Sequence, residues 1–355
     1  VFDFVAQTQG ASNTADAVRR FNQLTAPVTA KAVEDTAFYR YGRLLSRNDI
    51  GFDPRQFALP ADDFHAAIAR RAATHPNAML ATATHDHKRG EDVRARLAAL
   101  SNHPTEWRDS VASWFTLNAP RRPEGLAPDD EYQLYQTLVG AWPLDLAATD
   151  TKAGRAFATR VMKWQQKALR EAKLRSSWTA PNTGYEDAAK AFTAAVLEAP
   201  EFLAALEAFV GRIAHEGAMN GLMQVVLRMT LPGVPDLYQG TEFWDFSLVD
   251  PDNRRPVDYE ARTSALSSDA DLLATWRDGR IKQSIIRRLL ALRRSDPEFF
   301  ALADYQPMAL DGNTVAFTRR HAGKTLIVAA PARPLHAGDL ATVLSEPALV
   351  LWGPA

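Results

Sequence analysis

The chain has 355 residues, 46% hydrophobic and 23% charged, which suits a large core or two domains, so disorder is not expected. Lys and Arg number 41 against 42 Asp and Glu, a formal charge of -1, so there is no general field for nucleic acid and a weakly charged or neutral partner is expected. Cysteine is absent, which removes disulfides and thiolate chemistry and is compatible with a reducing cytoplasm; the apolar runs are too short to cross a bilayer, so no membrane partner is expected.

Helical spacing covers 14–24 and 33–46, with Val18, Phe21 and Leu24 on one face and Phe38, Tyr41 and Leu45 on another. Between them Pro27-Val28-Thr29-Ala30 reads as a short strand ending at Lys31. A helix over 62–74 follows Pro60 and begins with Asp62 and Asp63, which suit the positive end of the helix dipole. The apolar run 78–84 reads as a buried strand that ends in the polar residues Thr84, His85 and Asp86. From 91 to 200 the pattern is almost wholly helical, with starts at Pro104-Thr105, Pro128-Asp129 and Asp187 and a long charged helix over 152–175. Helix 201–230 precedes a short strand from Val234 to Tyr238, and after Asp258 the chain is helical again to Arg294. Segments 304–310, 314–320 and 324–330 then alternate like strands, with turns at Asp311-Gly312-Asn313 and Ala322-Gly323.

A carboxylate at the end of a strand points into the cleft there, and in a barrel of parallel strands that is the catalytic end. Asp86 is therefore the first candidate for chemistry, with His85 beside it. Plainer readings are that Asp86 caps the helix beginning near Glu91, or that His85, Asp86 and His87 are polar turn residues. Metal binding by this triplet is disfavoured, since adjacent residues alternate sides and no third partner lies one helical turn away.

Four segments, KAVEDTAFYRY (31–41), THDHKRGEDVRARL (84–97), GVPDLYQGTE (233–242) and LVDPDNRRPVDY (248–259), resemble the maltooligosyl trehalose synthases, a branch of the alpha-amylase superfamily of retaining glycoside enzymes. The resemblance implies an α/β, mostly helical chain: the C-terminal part of a (β/α)8 barrel, a large helical insertion and the start of a C-terminal antiparallel β domain. On this division 1–90 holds late barrel strands with their helices and 91–200 is the insertion after the seventh strand. Residues 201–300 form the last barrel helix-strand unit with the following helices, and 301–355 start the β domain.

The implied activity is an intramolecular transfer that converts the reducing-end α-1,4 linkage of a maltooligosaccharide into the α,α-1,1 linkage of trehalose, with no cofactor and no metal. Asp86 then matches the superfamily's third carboxylate, which binds sugar hydroxyls and favours the distorted ring. Substrate contacts fall to His85, Lys88, Lys31, Arg254, Trp142 and Trp178, the last two as stacking surfaces. The nucleophile and acid/base belong to strands upstream of Val1, so the expected partners are the maltooligosaccharide and a missing N-terminal half, and the 355 residues alone are expected to be inactive. An α-glucan hydrolase of the same superfamily and a non-catalytic carbohydrate-binding or assembly fragment are the alternatives.

Overall fold

The computed structural model describes residues 12–53, 55–267, 271–309, 314–331 and 349–354. The fold is mostly helical, with an antiparallel sheet at its C-terminal end. Helix α1 (Ser12–Ala32) runs through Pro27, then opens into a π-helical turn, Val33–Ala37, and a last turn, Phe38–Arg40. The strand expected at Pro27–Ala30 is therefore helix. A strand must pair its amides with a neighbour, whereas a helix satisfies them internally and loses only one bond at a proline.

Helix α2 (Ala61–Thr74) matches expectation, with Asp62 and Asp63 in its first turn. Strand β1 (Met79–Leu80) pairs in parallel with β2 (Val234–Pro235), Met79 opposite Val234 and Leu80 opposite Pro235. The strands expected over 78–84 and 234–238 thus shorten to two residues each. Among the described residues each has only the other as partner, and the chain turns at Thr84.

Five helices follow: α3 (Glu91–Ala99), α4 (Pro104–Leu117), α5 (Pro128–Ala141), α6 (Thr151–Ala172) and α7 (Thr183–Val196). Prolines at the first position start α4 and α5, where their missing N–H costs nothing. Asp150 caps α6 by accepting from the amides of Lys152 (3.1 Å) and Ala153 (2.9 Å). Helix α7 starts before the expected Asp187, because Asn182 supplies the cap through the Tyr185 amide at 3.2 Å.

The 31-residue α8 (Pro200–Thr230) has no single apolar face because it passes through three clusters in turn. Leu206, Phe209 and Ile213 join an aromatic core in which Trp114 meets Phe202 and Phe209 edge to face at 5.7 and 5.6 Å. Ala214, Ala218 and Leu222 pack on Trp276 and Ile281, and Val225, Val226 and Met229 on Phe299, Phe317 and Leu326. Gly217 lets α8 press on α3: a Cβ there would lie 2.8 Å from the Arg96 Cα.

Helices α9 (Tyr259–Ala265), α10 (Arg280–Ser295) and α11 (Pro297–Leu302) lead to the sheet β3 (Gln306–Met308), β4 (Thr314–His321), β5 (Lys324–Pro331) and β6 (Leu349–Pro354), antiparallel in that order. The expected turn at Ala322-Gly323 is present, both residues having positive φ, 49° and 73°. The turn at Asp311-Gly312-Asn313 lies outside the described residues. Buried Arg319 pins the sheet to the helices by donating to carbonyls of Thr230, Phe300 and Ala303 at 3.2, 3.0 and 3.1 Å. Those carbonyls sit at the ends of α8 and α11, where a cation meets the negative pole of each helix. Among the described residues no helix is long and apolar enough to cross a membrane.

Candidate active site

Beyond β1 the chain makes a tight turn over Thr84–His87 that sets His85 and Asp86 at its apex, with the Asp86 amide donating to Thr84 Oγ1 at 3.2 Å. The Asp86 side chain keeps 45% of its surface open. The turn is braced from the loop after β2. Asn253 donates to the carbonyls of His85 (3.0 Å) and Thr84 (3.5 Å), and Arg254 donates to the His85 carbonyl through Nε and Nη2, both at 3.3 Å.

The next residues turn inward. Lys88 is only 2% exposed, and its Nζ lies 2.6 Å from Asp35 and 3.6 Å from Asp86. Buried, it ties the apex carboxylate to the π-helical turn. Lys31 pairs with Asp35 from the exposed side of α1. Burial works against the Asp35 anion, but hydrogen bonds from Lys31 and Lys88 outweigh it and hold the carboxyl below its ordinary value. The same pairing holds Lys31 above its ordinary value. Asp49 accepts from the amides of Lys88 and Arg89, both at 3.3 Å, and pairs with Arg94 at 3.1 Å.

Helix α6 braces the facing loop. Arg160 forks onto Asp252 at 2.8 and 2.9 Å and donates to the Phe246 carbonyl, while Lys167 pairs with Asp250. Its C-terminal end meets the segment after the π-helical turn, where Arg40 donates to the Ala172 carbonyl at 2.6 Å. Trp178 lies in the loop that leaves this end, 51% exposed, with the Arg170 guanidinium 4.9 Å above its ring. Trp142 is different. It is 3% exposed, with its indole N–H donated to the Leu146 carbonyl at 3.0 Å and its ring edge-on to Phe157, so the expected stacking surface is a core residue. It borders a cavity of about 630 Å³ at the start of α6, which no residue of the turn lines.

The structure therefore gathers Asp86, His85, Lys88, Lys31 and Arg254 around one turn. Asn253, Ser247 and Asp49 complete that assembly and were not singled out in the sequence. Asn253 stands inside the segment 248–259 that carries the resemblance, whereas nothing local marks Asp49, whose partners lie 39 and 40 residues on. Behind the turn, the first residues of α3 form a buried ionic cluster: Lys282 contacts Glu91 at 2.7 Å and Asp92 at 2.6 Å, and Arg228 contacts Glu91 at 2.8 Å. Among the described residues no group of His, Asp and Glu is arranged to hold a metal ion.

No protein-family model matches the chain. A curated relative named maltooligosyl trehalose synthase, from Mycobacterium tuberculosis strain H37Rv, is 38% identical over 316 residues, which cover 87% of this chain and 38% of the relative. The maltooligosyl trehalose synthase structure from Sulfolobus tokodaii superposes with a TM-score of 0.79 at 33% identity, over 91% of this chain and 43% of that one. The enzyme from Arthrobacter ramosus gives 0.73 at 35% identity, over 94% and 42%. The chain thus spans 38% of the length of the curated relatives it matches. By sequence and by fold alike, the chain is similar to maltooligosyl trehalose synthases over about two fifths of their length.

Proposed function

We propose that this chain is the C-terminal, Asp86-bearing part of an intramolecular transglucosylase of trehalose biosynthesis. On this reading β1 and β2 are the seventh and eighth strands of a (β/α)8 barrel, and the helices of 91–200 form a lid over the reducing-end sugar. The nucleophile and acid/base stand in the portion of family length that these 355 residues do not span.

The chemistry runs as two displacements at one anomeric carbon. A carboxylate attacks the penultimate glucose, the α-1,4 bond breaks with proton donation to the leaving oxygen, and a covalent glycosyl-enzyme forms beside a trapped free glucose. That glucose turns over, and its anomeric hydroxyl, deprotonated by the same acid/base group, attacks the carbon to give net retention. Water must stay out during the turnover. Asp86 grips hydroxyls of the distorted ring, Arg254 and Lys88 hold its turn, and Lys31 and Trp178 border the sugar path.

The observation that carries this reading is a half-open carboxylate at the apex of a turn braced on both sides, in a chain homologous to the synthases. Asp86→Asn in the complete synthase is expected to lower trehalose-end formation from maltopentaose by at least about a hundredfold with the melting temperature unchanged. Wild-type rates in that variant would remove Asp86 from the mechanism. Release of glucose and maltotetraose by the unsubstituted enzyme, without trehalose ends, would replace transfer by hydrolysis.

A further inference from the structure

His87 is buried directly beneath the apex of the turn, with a contact on each side of its ring. Nδ1 lies 3.3 Å from the Thr84 amide, which donates to it, and Nε2 lies 3.0 Å from Ser247 Oγ. The Tyr238 ring stands nearly perpendicular to it, with the ring centroids 5.8 Å apart. Because Nδ1 accepts, the proton sits on Nε2 and is donated to Ser247. Ser247 in turn takes the Gly90 amide on its carbonyl at 2.8 Å, so one imidazole closes the turn and ties it to the facing loop. We propose that His87, neutral and protonated on Nε2, is the positioning residue that sets the Asp86 carboxylate, an inference that rests on the role given to Asp86 above.

The arrangement works in one protonation state only. A proton on Nδ1 would face the Thr84 N–H, and two donors cannot share that contact. The charged groups acting on the ring are Asp245, Asp49 and Glu91, which favour the imidazolium, and Arg94, which opposes it. Burial is the strongest influence and holds His87 below the ordinary histidine value, so the closed turn persists through neutral pH and opens on acidification.

Two variants separate the contacts. The side-chain oxygen of His87→Asn falls near the Nδ1 position and can still accept from Thr84, whereas His87→Gln reaches toward Ser247 and leaves the Thr84 amide unmet. In the complete synthase, His87→Gln is expected to lower kcat by about tenfold or more with KM within about twofold, since small misplacements of a reacting group cost up to about a hundredfold. His87→Asn is expected to recover most of that loss and to move the acid limb of the pH profile to lower pH. Equal kcat in the two variants, or an unmoved acid limb, overturns the proposal.

A second measurement needs no activity. Nitrogen-15 NMR of the histidines in the 355-residue chain is expected to find His87 as the Nε2–H tautomer at pH 7, with the Asp86 amide shifting as His87 titrates below the ordinary histidine range. The opposite tautomer, or an Asp86 amide indifferent to His87, overturns the proposal. If the complete enzyme makes no trehalose ends while the NMR result holds, the assigned function fails and the turn geometry stands.

Discussion

Lys282→Met removes one charge from the buried cluster behind the turn while keeping the unbranched stem. Lys282 is fully buried, with its Nζ 2.7 Å from Glu91, 2.6 Å from Asp92 and 3.2 Å from the Phe243 carbonyl. In the parent two cations face two anions, because Arg228 also pairs with Glu91. In the variant Glu91 keeps Arg228, but Asp92 keeps only the Asp245 amide at 2.7 Å. An ionised Asp92 would then be an uncompensated buried charge, of the kind that costs about 3–5 kcal/mol.

The alternative for the folded variant is to protonate Asp92. Burial already holds Asp92 at about 6 in the parent, so keeping it protonated at pH 7 costs the variant about 1.4 kcal/mol more than the parent, the worth of one pH unit. At pH 5 the parent carboxyl is itself largely protonated, and that difference vanishes. Loss of the lysine raises the already elevated pKa of Asp92 further, so the stability lost relative to the parent returns as pH falls through about 6. Urea unfolding followed by circular dichroism should give a deficit of about 1–2 kcal/mol at pH 7 that narrows at pH 5. Adding Asp92→Asn, which still accepts from Asp245, should recover most of it. A deficit under about 0.5 kcal/mol at pH 7, or one that does not narrow with acid, would refute the account of the cluster.

Gly217→Ala should destabilise by about 1–3 kcal/mol in the same assay despite alanine's better helix propensity, since the new Cβ meets the Arg96 Cα at 2.8 Å and α3 must move off α8; unchanged stability would mean that the two helices are free to part. Tyr39→Phe removes a buried hydroxyl that has no hydrogen-bond partner among the described residues and whose burial holds its pKa well above the ordinary value. It should leave stability unchanged or raised by up to about 1 kcal/mol, and a loss beyond about 2 kcal/mol would reveal a partner for that hydroxyl.

Much of the helical body was legible in the sequence. Helices α2, α4, α5 and α8 follow from apolar spacing with proline or acidic starts, α6 from its spacing behind the Asp150 cap and α10 from its spacing alone, and these are local signals that act within a turn or two of chain. The Ala322-Gly323 turn has the same origin, since glycine's freedom at positive φ is a property of the residue. Asp86 stood out for a comparable reason, as a carboxylate placed directly after an apolar run.

Contacts between distant segments settled the rest. Pro27–Ala30 has the composition of a strand, yet strand formation depends on a neighbour that composition cannot name, and here the segment continues α1. Trp142 sits in a glycine- and proline-flanked stretch that reads as loop, but α6 and the Leu146 carbonyl enclose it. Lys88 stood in the sequence as a sugar contact just past a strand end. Asp35, 53 residues earlier, and Asp86 made it an internal tie, because a buried ammonium persists only where carboxylates meet it, and which carboxylates those are is decided by tertiary packing.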